Sequence, residues 1–412
     1  MAGTGGVVLV EQFFYPDGWG GAQIPRDVAA AIRAAGIDVS VLCGTEQYVP
    51  VRAELAGPDP AASGIRIVRI APLLPGSPRT LRAVRAIWFC ACALAVLCVR
   101  RGVRMLLTQT NPPLVIPAMA LAAALRGIPL VIIAQDLYPE VLFASQLLAP
   151  SSWAGRALKR LYAWAYRRAR KVIVLGPCMA ERVRRKGVAA ERIVTISNWA
   201  TGELAVVDRS ADNPLRERWN LHGHFIALYS GNLGSGHEFE TLLEGVRRAA
   251  ARIPELVLVI IGRGSRHAEV RAQARALGLQ ERVRFFDFVS AEELRFSIAL
   301  ADIAVVTLRT GFEGVVVPSK LFGYLARGVP TLYIGPESDV AHIVRTGDCG
   351  AVCAPGDAAR VAQVLEAAAA DPAMRAHWAA NARALYQRQF KRELALEAYV
   401  ALTKDLAGCS SR

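Results

Sequence analysis

The sequence of 412 residues lacks several patterns that would assign a protein to a class at once. Its 8 cysteines include no CxxC pair, and no cluster of cysteine and histidine has the spacing of a zinc site. No short internal repeat is present. The apolar run at 87–99 has 13 residues, fewer than the roughly 20 that a membrane-spanning helix needs. We therefore expect buried, reduced thiols, no metal site and no spanning helix.

The N-terminus lacks a basic segment followed by a leader-type apolar core, so we expect no signal peptide. The apolar run at 87–99 leaves two interpretations open. It is either a buried helix of an α/β domain or a helix that dips into a membrane surface beside basic flanks. The flanking residues are Arg82, Arg85, Arg100, Arg101 and Arg104.

Acidic residues are scarce in the first half of the chain. Hydrophobic residues make up 53% of the sequence and charged residues 20%, which excludes a disordered chain. The net charge of +14 is concentrated in residues 1–206, which hold 24 basic and 12 acidic residues, whereas residues 207–412 hold 25 and 23. This distribution predicts an anionic partner for the first half: nucleic acid, anionic lipid or a phosphorylated substrate.

Short apolar runs rich in β-branched residues alternate with helical stretches, and the series restarts near residue 225. Continuous apolar strands indicate a parallel sheet covered on both faces. Strands are predicted at 7–12, 38–43, 66–70, 105–108, 129–134 and 171–175, then at 225–229, 256–261, 283–286, 303–308 and 330–334. Helices are predicted at 22–35, 79–100, 112–125, 153–170, 177–186, 238–252, 267–277, 291–300, 319–327, 358–370, 374–389 and 393–406.

Two consecutive doubly wound α/β domains follow from this order. The polar stretch 201–221 predicts the boundary, which divides the chain into an N-terminal domain, 1–206, and a C-terminal domain, 207–390. The last helix, in 391–412, is expected to run back toward the N-terminal domain. We expect the active site in a cleft between the domains, where the carboxyl ends of the two sets of strands face each other.

Two glycine-rich loops each follow the first predicted strand of a domain. The loop 15–22 (YPDGWGGA) contains Gly20 and Gly21 and precedes a helix, as does the loop 229–237 (YSGNLGSGH). A strand, a glycine-rich turn and a helix N-terminus form a geometry that binds phosphate through backbone N–H groups. Neither loop matches the dinucleotide or P-loop signature. A tight turn without a ligand remains the alternative for each.

The segment 311–323 (GFEGVVVPSKLFG) carries a third candidate site. Ser319 is predicted to cap a helix, which places Lys320 in the first turn, where a cation opposes the helix dipole. An anionic ligand would resolve that conflict, so we predict that Lys320 contacts a phosphate; a solvated surface lysine is the alternative. Glu313 either bonds to sugar hydroxyls or is a surface acid. Arg263, in the turn 262–265 (GRGS), is either a diphosphate clamp or a solvated arginine.

Two carboxylates follow the predicted strand 129–134 in the segment 135–140 (QDLYPE). Asp136 is a candidate to orient or deprotonate an acceptor hydroxyl, and Glu140 accompanies it. The alternative for Asp136 is a helix-capping acid.

These motifs, in this order, resemble the family-4 retaining glycosyltransferases of the GT-B fold. The resemblance rests on GGAQ at 20–23, QDLYPE at 135–140, YSGNLGSGHEFETL at 229–242, VPSKLFGYLARGVP at 317–330 and GPESDV at 335–340. It extends over about 7–390 and is closest to the branch with colanic-acid-type and O-antigen fucosyl- and N-acetylfucosaminyltransferases. It implies transfer of a sugar from a nucleotide-diphosphate donor, with retention and without a required metal or cofactor. It also implies that the second domain holds the donor and the first the acceptor.

The chain departs from that family at two places. The family's Glu-x7-Glu pair would fall on Val315 and Gly323, so both acids are missing, and Glu313 is the candidate to replace the first. Asn232 and His237 occupy the loop where the family has a basic residue, which leaves Lys320 and Arg263 as the available cations. The expected donor-binding residues are Gly231, Asn232, Leu233, Arg263, Phe288, Ser319 and Lys320. The expected acceptor-binding residues are Gly20, Gly21, Asp136 and Glu140, and the expected catalytic residues are Asp136, Glu313 and Lys320.

The leading hypothesis is a transferase that extends a polyprenyl-diphosphate-linked glycan in bacterial polysaccharide biosynthesis. We expect it to lie peripherally on the inner face of the cell membrane, because 153–186 holds 11 basic residues against Glu181 alone. In the predicted helix, basic residues at 156, 160, 167 and 170 share a face, and Trp153 and Trp164 lie beside them. The rivals are a GT-B sugar-nucleotide epimerase and a nucleic-acid-binding protein, and the latter lacks interleaved stacking motifs. The base, uridine or guanosine, is left open.

Overall fold

The computed structural model describes residues 6–17, 20–47, 59–73, 81–200, 213–290 and 293–408. The chain forms two compact units. The first comprises Met1–Ser197, Gly314–Val316 and Arg392–Arg412, and the second comprises Asn198–Glu313 and Val317–Lys391. Most of the predicted boundary stretch, 201–212, lies outside the described residues.

The first unit contains a parallel sheet of seven strands in the order β3-β2-β1-β4-β5-β6-β7. Its strands are β1 (Gly6–Val10), β2 (Val39–Gly44), β3 (Arg66–Ile70), β4 (Val103–Thr108), β5 (Leu130–Ile133), β6 (Lys171–Val174) and β7 (Ile193–Thr195). Its helices are α1 (Gly20–Ala34), α2 (Arg82–Val99), α3 (Val115–Arg126), α4 (Glu140–Ala144), α5 (Trp153–Arg168), α6 (Pro177–Arg184) and, from the end of the chain, α15 (Arg392–Gly408). Helix α15 packs against α1, where Arg392 Nε lies 2.7 Å from Asp27 Oδ2.

The second unit contains a parallel sheet of six strands in the order β10-β9-β8-β11-β12-β13. Its strands are β8 (Phe225–Ser230), β9 (Leu256–Ile261), β10 (Val283–Phe286), β11 (Ile303–Thr307), β12 (Thr331–Ile334) and β13 (Gly350–Cys353). Its helices are α7 (Pro214–Arg218), α8 (Glu240–Ala249), α9 (His267–Ala276), α10 (Leu294–Ala299), α11 (Lys320–Ala326), α12 (Asp339–Thr346), α13 (Ala358–Ala370) and α14 (Pro372–Leu385), followed by a π-helical turn at Tyr386–Phe390.

Continuous apolar sequence accounts for the central strands. Every residue of β9, LVLVII, is buried, because helices cover both faces of a parallel sheet. The predicted α/β class with two doubly wound domains is confirmed. The elements missed by the sequence prediction are short: the edge strands β7 and β13 and the helices α4, α7 and α12.

The apolar run at 87–99 lies in α2 and is neither fully buried nor spanning. Phe89, Cys90 and Leu97 face the core, whereas the side chains of Ile87 and Val99 are 55% and 79% exposed. Within the described residues, none of the helices combines enough length with enough apolar character to cross a bilayer.

Candidate active site

The strand order of the second unit reverses between β8 and β11, which are neighbours in the sheet. In doubly wound sheets, ligands bind outside the carboxyl ends of the strands at such a reversal. The glycine-rich loop follows β8, and the segment leading to α11 follows β11. These two segments bring together Tyr229, His237, Thr307 and Lys320.

Lys320 occupies the first position of α11, as predicted, but it is not a solvated surface lysine. Its Nζ atom is buried, has no hydrogen-bond partner among the described residues and lies 3.6 Å from the centroid of the Tyr229 ring. A desolvated cation over an aromatic face gains about 2 kcal/mol, less than the hydration it loses. Burial therefore holds the pKa of Lys320 well below its usual range. The site therefore contains a buried amine that has no counter-ion among the described residues.

Gly231 is required for the close approach of that lysine. Its φ is +138°, and a Cβ atom at this position would lie 3.3 Å from Lys320 Cε and 3.4 Å from Nζ. A side chain at residue 231 would therefore strain the backbone and displace the ammonium group.

His237 lies beside Lys320 as a neutral imidazole. Its Nδ1 lies 2.9 Å from the carbonyl oxygen of Thr307, and since a carbonyl only accepts, Nδ1 carries the proton. Burial, and then the charge of Lys320, lower the pKa of His237 to about 3. Nε2 is therefore an acceptor at neutral pH.

The backbone of the glycine-rich loop is partly engaged within the protein. The N–H of Gly231 donates to Ile261 O at 2.9 Å, and the N–H of Leu233 donates to Arg263 O at 2.9 Å. The Asn232 carbonyl accepts a bond of 2.7 Å from the Tyr229 hydroxyl. The Leu233 side chain is fully buried in the core, and its N–H bond joins the glycine-rich loop to the turn that carries Arg263.

The structure positions two predicted groups before α11. Ser319 occupies the N-cap position of α11, as predicted, although its side chain makes no capping hydrogen bond. Glu313 Oε2 accepts a bond of 2.7 Å from the N–H of Gly311 and so closes its own loop. The family's two acids would stand at positions 315 and 323. This chain has a buried valine at 315 and a glycine at 323, so neither position supplies a carboxylate.

Arg263 does not extend freely from its turn. Its guanidinium binds the Asp287 carboxylate through two bonds, Nε–Oδ1 at 2.6 Å and Nη2–Oδ2 at 2.7 Å. The pair borders a cavity of about 530 Å³ between α9 and the end of β10. Phe288 lies nearby with its Cε1 atom 3.2 Å from the Cβ position of Gly262, and its side chain is 58% exposed.

Asp136 follows β5 in the first unit. Its N–H donates to Thr110 Oγ1 at 3.2 Å, and burial raises the pKa of its carboxyl to about 6. Helix α4 begins at Glu140 after Pro139 and has no side-chain cap, so Asp136 is not a capping acid. A carboxylate with this pKa changes protonation near physiological pH.

Glu140 is held by a buried lysine. Lys186 Nζ lies 2.5 Å from Glu140 Oε1 and 3.3 Å from the Tyr138 carbonyl, and its side chain is only 7% exposed. Glu140 therefore forms an ion pair that helps to hold the loop of Asp136. The same contact removes Lys186 from the solvated basic surface that the sequence predicts.

The glycine-rich loop of the first unit ends where α1 begins, at Gly20 and Gly21; residues 18–19 lie outside the described part of the chain. Glu11, directly after β1, is fully buried. Burial raises the pKa of Glu11 well above its usual range. Hydrogen bonds from the backbone amides of Phe13 and Gln12 and from the Asn111 side chain lower this pKa, but by less.

Sequence reasoning missed Tyr229, Tyr324 and Asp287. The Tyr324 hydroxyl accepts a bond of 3.0 Å from the N–H of Ser230 and so joins α11 to the end of β8. A tyrosine near the end of an apolar strand and next to a glycine-rich loop is a usable signal for Tyr229. Asp287 has a partner 24 positions away, which no local pattern reveals.

Each of the two units matches the model of a known protein family. The model of the Glycosyl transferase 4-like domain matches residues 20–199, and that of Glycosyl transferases group 1 matches residues 213–385. The chain belongs to the family-4 glycosyltransferases. The resemblance seen in the sequence is confirmed, as is the colanic-acid and O-antigen branch.

Two curated relatives and one solved structure illustrate the membership. The chain is 27% identical over 271 residues to the probable glycosyltransferase WbjE of Pseudomonas aeruginosa, covering 65% of this chain and 66% of WbjE. It is 30% identical over 221 residues to the putative colanic acid glycosyl transferase WcaI of Escherichia coli, covering 52% of each. HepE of Anabaena, solved with UDP-glucose, has a TM-score of 0.74 at 17% identity, covering 97% of this chain and 100% of HepE, which shows the GT-B fold. The matched segment thus spans just under two thirds of WbjE and about half of WcaI.

Proposed function

We propose that this protein is a retaining glycosyltransferase that moves a hexose-type sugar from a nucleotide-diphosphate donor to a polyprenyl-diphosphate-linked glycan in bacterial polysaccharide biosynthesis. The observation that carries the donor half is the buried amine of Lys320 at the β8/β11 reversal, which has no hydrogen-bond partner within the described part of the chain. An anionic diphosphate there would replace the hydration that Lys320 has lost. HepE, whose fold is the same, was solved with UDP-glucose.

Lys320 would act most strongly as the donor bond breaks. Negative charge then grows on the leaving diphosphate, and a fixed cation stabilises that charge more than the ground state. No divalent metal is needed for this role, so we expect transfer to continue in EDTA. Retention of the anomeric configuration comes from the family resemblance, and proton NMR of the product tests it.

Asp136 is the proposed acceptor-side residue. Its pKa of about 6 leaves the carboxylate ionised at neutral pH, able to accept a hydrogen bond from an acceptor hydroxyl. In the front-face reaction proposed for retaining enzymes of this fold, the donor phosphate takes the proton. Asp136 would then orient the acceptor.

Incubating the purified protein with labelled nucleotide sugars and bacterial membranes tests this function. Label in the lipid extract is expected for a transferase, whereas isomerised nucleotide sugar would indicate the epimerase alternative, which the family matches do not favour. Lys320→Met should lower the signal at least tenfold, and Glu244→Gln, on the outer face of α8, should leave it intact. Absence of label from lipid with every donor would contradict the proposal.

We further propose that the first unit binds the inner face of the cell membrane through α2, α3 and α5. Helix α2 packs against α3 and α3 against α5, so the three helices lie side by side. They expose large apolar side chains and, on α5, a group of basic ones. The exposed apolar residues of the three helices, apart from Trp88, are Val84, Ile87, Val99, Leu121, Leu125, Trp153 and Leu161. The exposed basic residues of α5 are Arg156, Lys159, Arg160, Arg167 and Arg168.

The basic face is smaller than the sequence predicts. Helix α5 ends at Arg168, so Arg170 lies beyond it, and Arg184 and Arg185 pair with Glu181 at 3.2 and 3.1 Å. Each remaining basic side chain near an anionic leaflet contributes about 1 kcal/mol, enough in sum for reversible attachment.

Flotation with phosphatidylglycerol-containing vesicles over a series of salt concentrations tests the attachment. We expect binding at low salt that weakens as salt rises. The triple variant Arg156→Gln, Lys159→Gln, Arg160→Gln should bind less, and Ile87→Glu should remove the apolar part. The matched control Arg252→Gln, Arg360→Gln, Arg388→Gln removes the same charge from the second unit. Equal binding by the two triple variants, or no flotation of the wild type at low salt, would refute the proposal.

A further inference from the structure

The turn 262–264 adjoins both the Lys320 site and the cavity between α9 and β10. On one side, a Cβ atom at Gly262 would lie 2.1 Å from the Gly231 carbonyl oxygen, and one at Gly264 would lie 2.4 Å from that of Leu233. On the other side, Arg263 and Gly264 line the cavity. A ligand whose phosphates meet Lys320 therefore has a neighbouring cavity for its other end. The volume of about 530 Å³ falls within the usual range of small-molecule sites.

The cavity has an aromatic wall and a charged rim. The His267 ring meets Phe285 edge-on at 5.5 Å, and the Arg271 guanidinium lies 5.5 Å from the centroid of the same phenyl ring. The rim is the ion pair of Arg263 and Asp287. A flat heteroaromatic ring with polar edges suits this combination of surfaces.

The Asp287 carboxylate can exchange Arg263 for a ligand. The guanidinium binds one nitrogen to each carboxylate oxygen and so occupies the edge that a second pair of parallel donors would need. Because an exposed ion pair of this kind is weak, a ligand with two adjacent donors can take that edge and leave the guanidinium free to donate beside it. The Arg263 side chain is 70% exposed and that of Asp287 is 66% exposed, so both groups are accessible to a ligand at the rim. The rim thus presents acceptors from the carboxylate beside donors from the guanidinium.

We propose that Asp287 reads the base of the donor nucleotide and that the donor is a guanosine-diphosphate sugar, an inference that rests on the proposed transferase function. Guanine has two adjacent donors, N1–H and the N2 amino group, which a carboxylate accepts in two parallel bonds, and its O6 accepts from an arginine. Uracil and thymine have a single N–H between two carbonyls, so the second carboxylate oxygen would oppose a carbonyl. Adenine and cytosine place an acceptor nitrogen beside their amino group, with the same conflict.

Calorimetric titration with GDP, UDP, dTDP and ADP tests the assignment. We expect GDP to bind the wild type at least tenfold more tightly than the other three, the selectivity of one bidentate contact. Asp287→Asn replaces one acceptor by a donor and so matches the N3–H and O4 of uracil. The GDP-to-UDP affinity ratio should fall at least tenfold in this variant.

Two further variants separate the base from the phosphates. Lys320→Met should weaken all four nucleotides alike and leave their ratio unchanged, and Glu244→Gln should change neither. UDP binding as tightly as GDP, or an unchanged ratio in Asp287→Asn, would overturn the base assignment while leaving the transferase proposal intact. If none of the four nucleotides binds, the donor site itself is wrong and the base assignment fails with it.

Discussion

The ammonium nitrogen of Lys320 lies 3.6 Å from the centre of the Tyr229 ring, where the carboxyl end of β8 meets the first residue of α11. Among the described residues, no carboxylate pairs with this nitrogen. The groups beside it are the phenol ring of Tyr229 and the neutral imidazole of His237. A buried cation without a counter-ion destabilises the free protein. The arrangement is therefore suited to an anionic ligand.

Replacing Lys320 should separate stability from function. Lys320→Met keeps the length of the side chain and removes the buried amine, so we expect equal or greater thermal stability. Nucleotide affinity should fall by about 1.5–3 kcal/mol, at least tenfold, because a charge-assisted contact is lost. Calorimetric affinity together with a melting curve measures both effects. Unchanged affinity would remove Lys320 from the site.

At a pH above the free-state pKa of Lys320, nucleotide binding should take up a proton through this side chain. Its pKa lies well below the usual range in the free protein, and a bound diphosphate would raise it again. Because the bound state then holds more protons than the free state, affinity should decrease as pH rises above the free-state pKa. Titration in two buffers with different ionisation enthalpies counts the protons. Lys320→Met is the control, and equal uptake by this variant would assign the proton to another group.

Asp136→Asn should lower turnover while nucleotide-sugar affinity stays unchanged, because the carboxylate is proposed to act on the acceptor. Burial raises the pKa of Asp136 to about 6, so wild-type activity should fall as pH decreases through 6 and the carboxylate becomes protonated. The variant should lack this limb of the pH profile. Weaker donor binding with unchanged acceptor kinetics would argue against the assignment.

Glu11→Gln should stabilise the protein at neutral pH. The pKa of Glu11 is raised in the folded state, so the native carboxyl stays protonated while the unfolded one ionises. Between the unfolded and folded pKa values, stability therefore falls by about 1.4 kcal/mol per pH unit, and glutamine removes that loss. Urea denaturation at several pH values should show the variant gaining on the wild type as pH rises. The control Glu397→Gln changes an exposed side chain of α15 and should show the pH dependence of the wild type. If the stability of Glu11→Gln also follows the wild type at every pH, the burial argument is wrong.

Lys186→Met should destabilise the first unit by about 3–5 kcal/mol, since it leaves the Glu140 carboxylate partly buried without its partner. Arg185→Gln breaks a bond of 3.1 Å to Glu181 on the exposed side of α6 and should cost about 1 kcal/mol or less. Chemical denaturation of the two variants compares a buried with a solvated ion pair. Similar losses in both would show that Lys186 does not anchor the Asp136 loop.

Much of the fold was determined by local sequence. The bounds of β9 and α13 agree with the predicted 256–261 and 358–370, because a continuous apolar run and a run of helix formers are each decided by neighbouring residues. The edge strands β7 and β13 were missed because three or four partly exposed residues carry too weak a pattern. The glycine-rich loops and Lys320 were found at sequence level, since a cation at a helix start conflicts with the local dipole.

The charges that define the candidate site were decided by tertiary structure. Lys186 pairs with Glu140, 46 positions away, and Arg263 pairs with Asp287, 24 positions away. Whether a lysine is solvated, paired or buried depends on which elements pack around its head group, and desolvation is a property of that packing. The sequence alone therefore determined which chemical groups were present near each strand end. Only the folded chain determined that Lys186 pairs with Glu140, whereas Lys320 has no counter-ion among the residues that the structure describes.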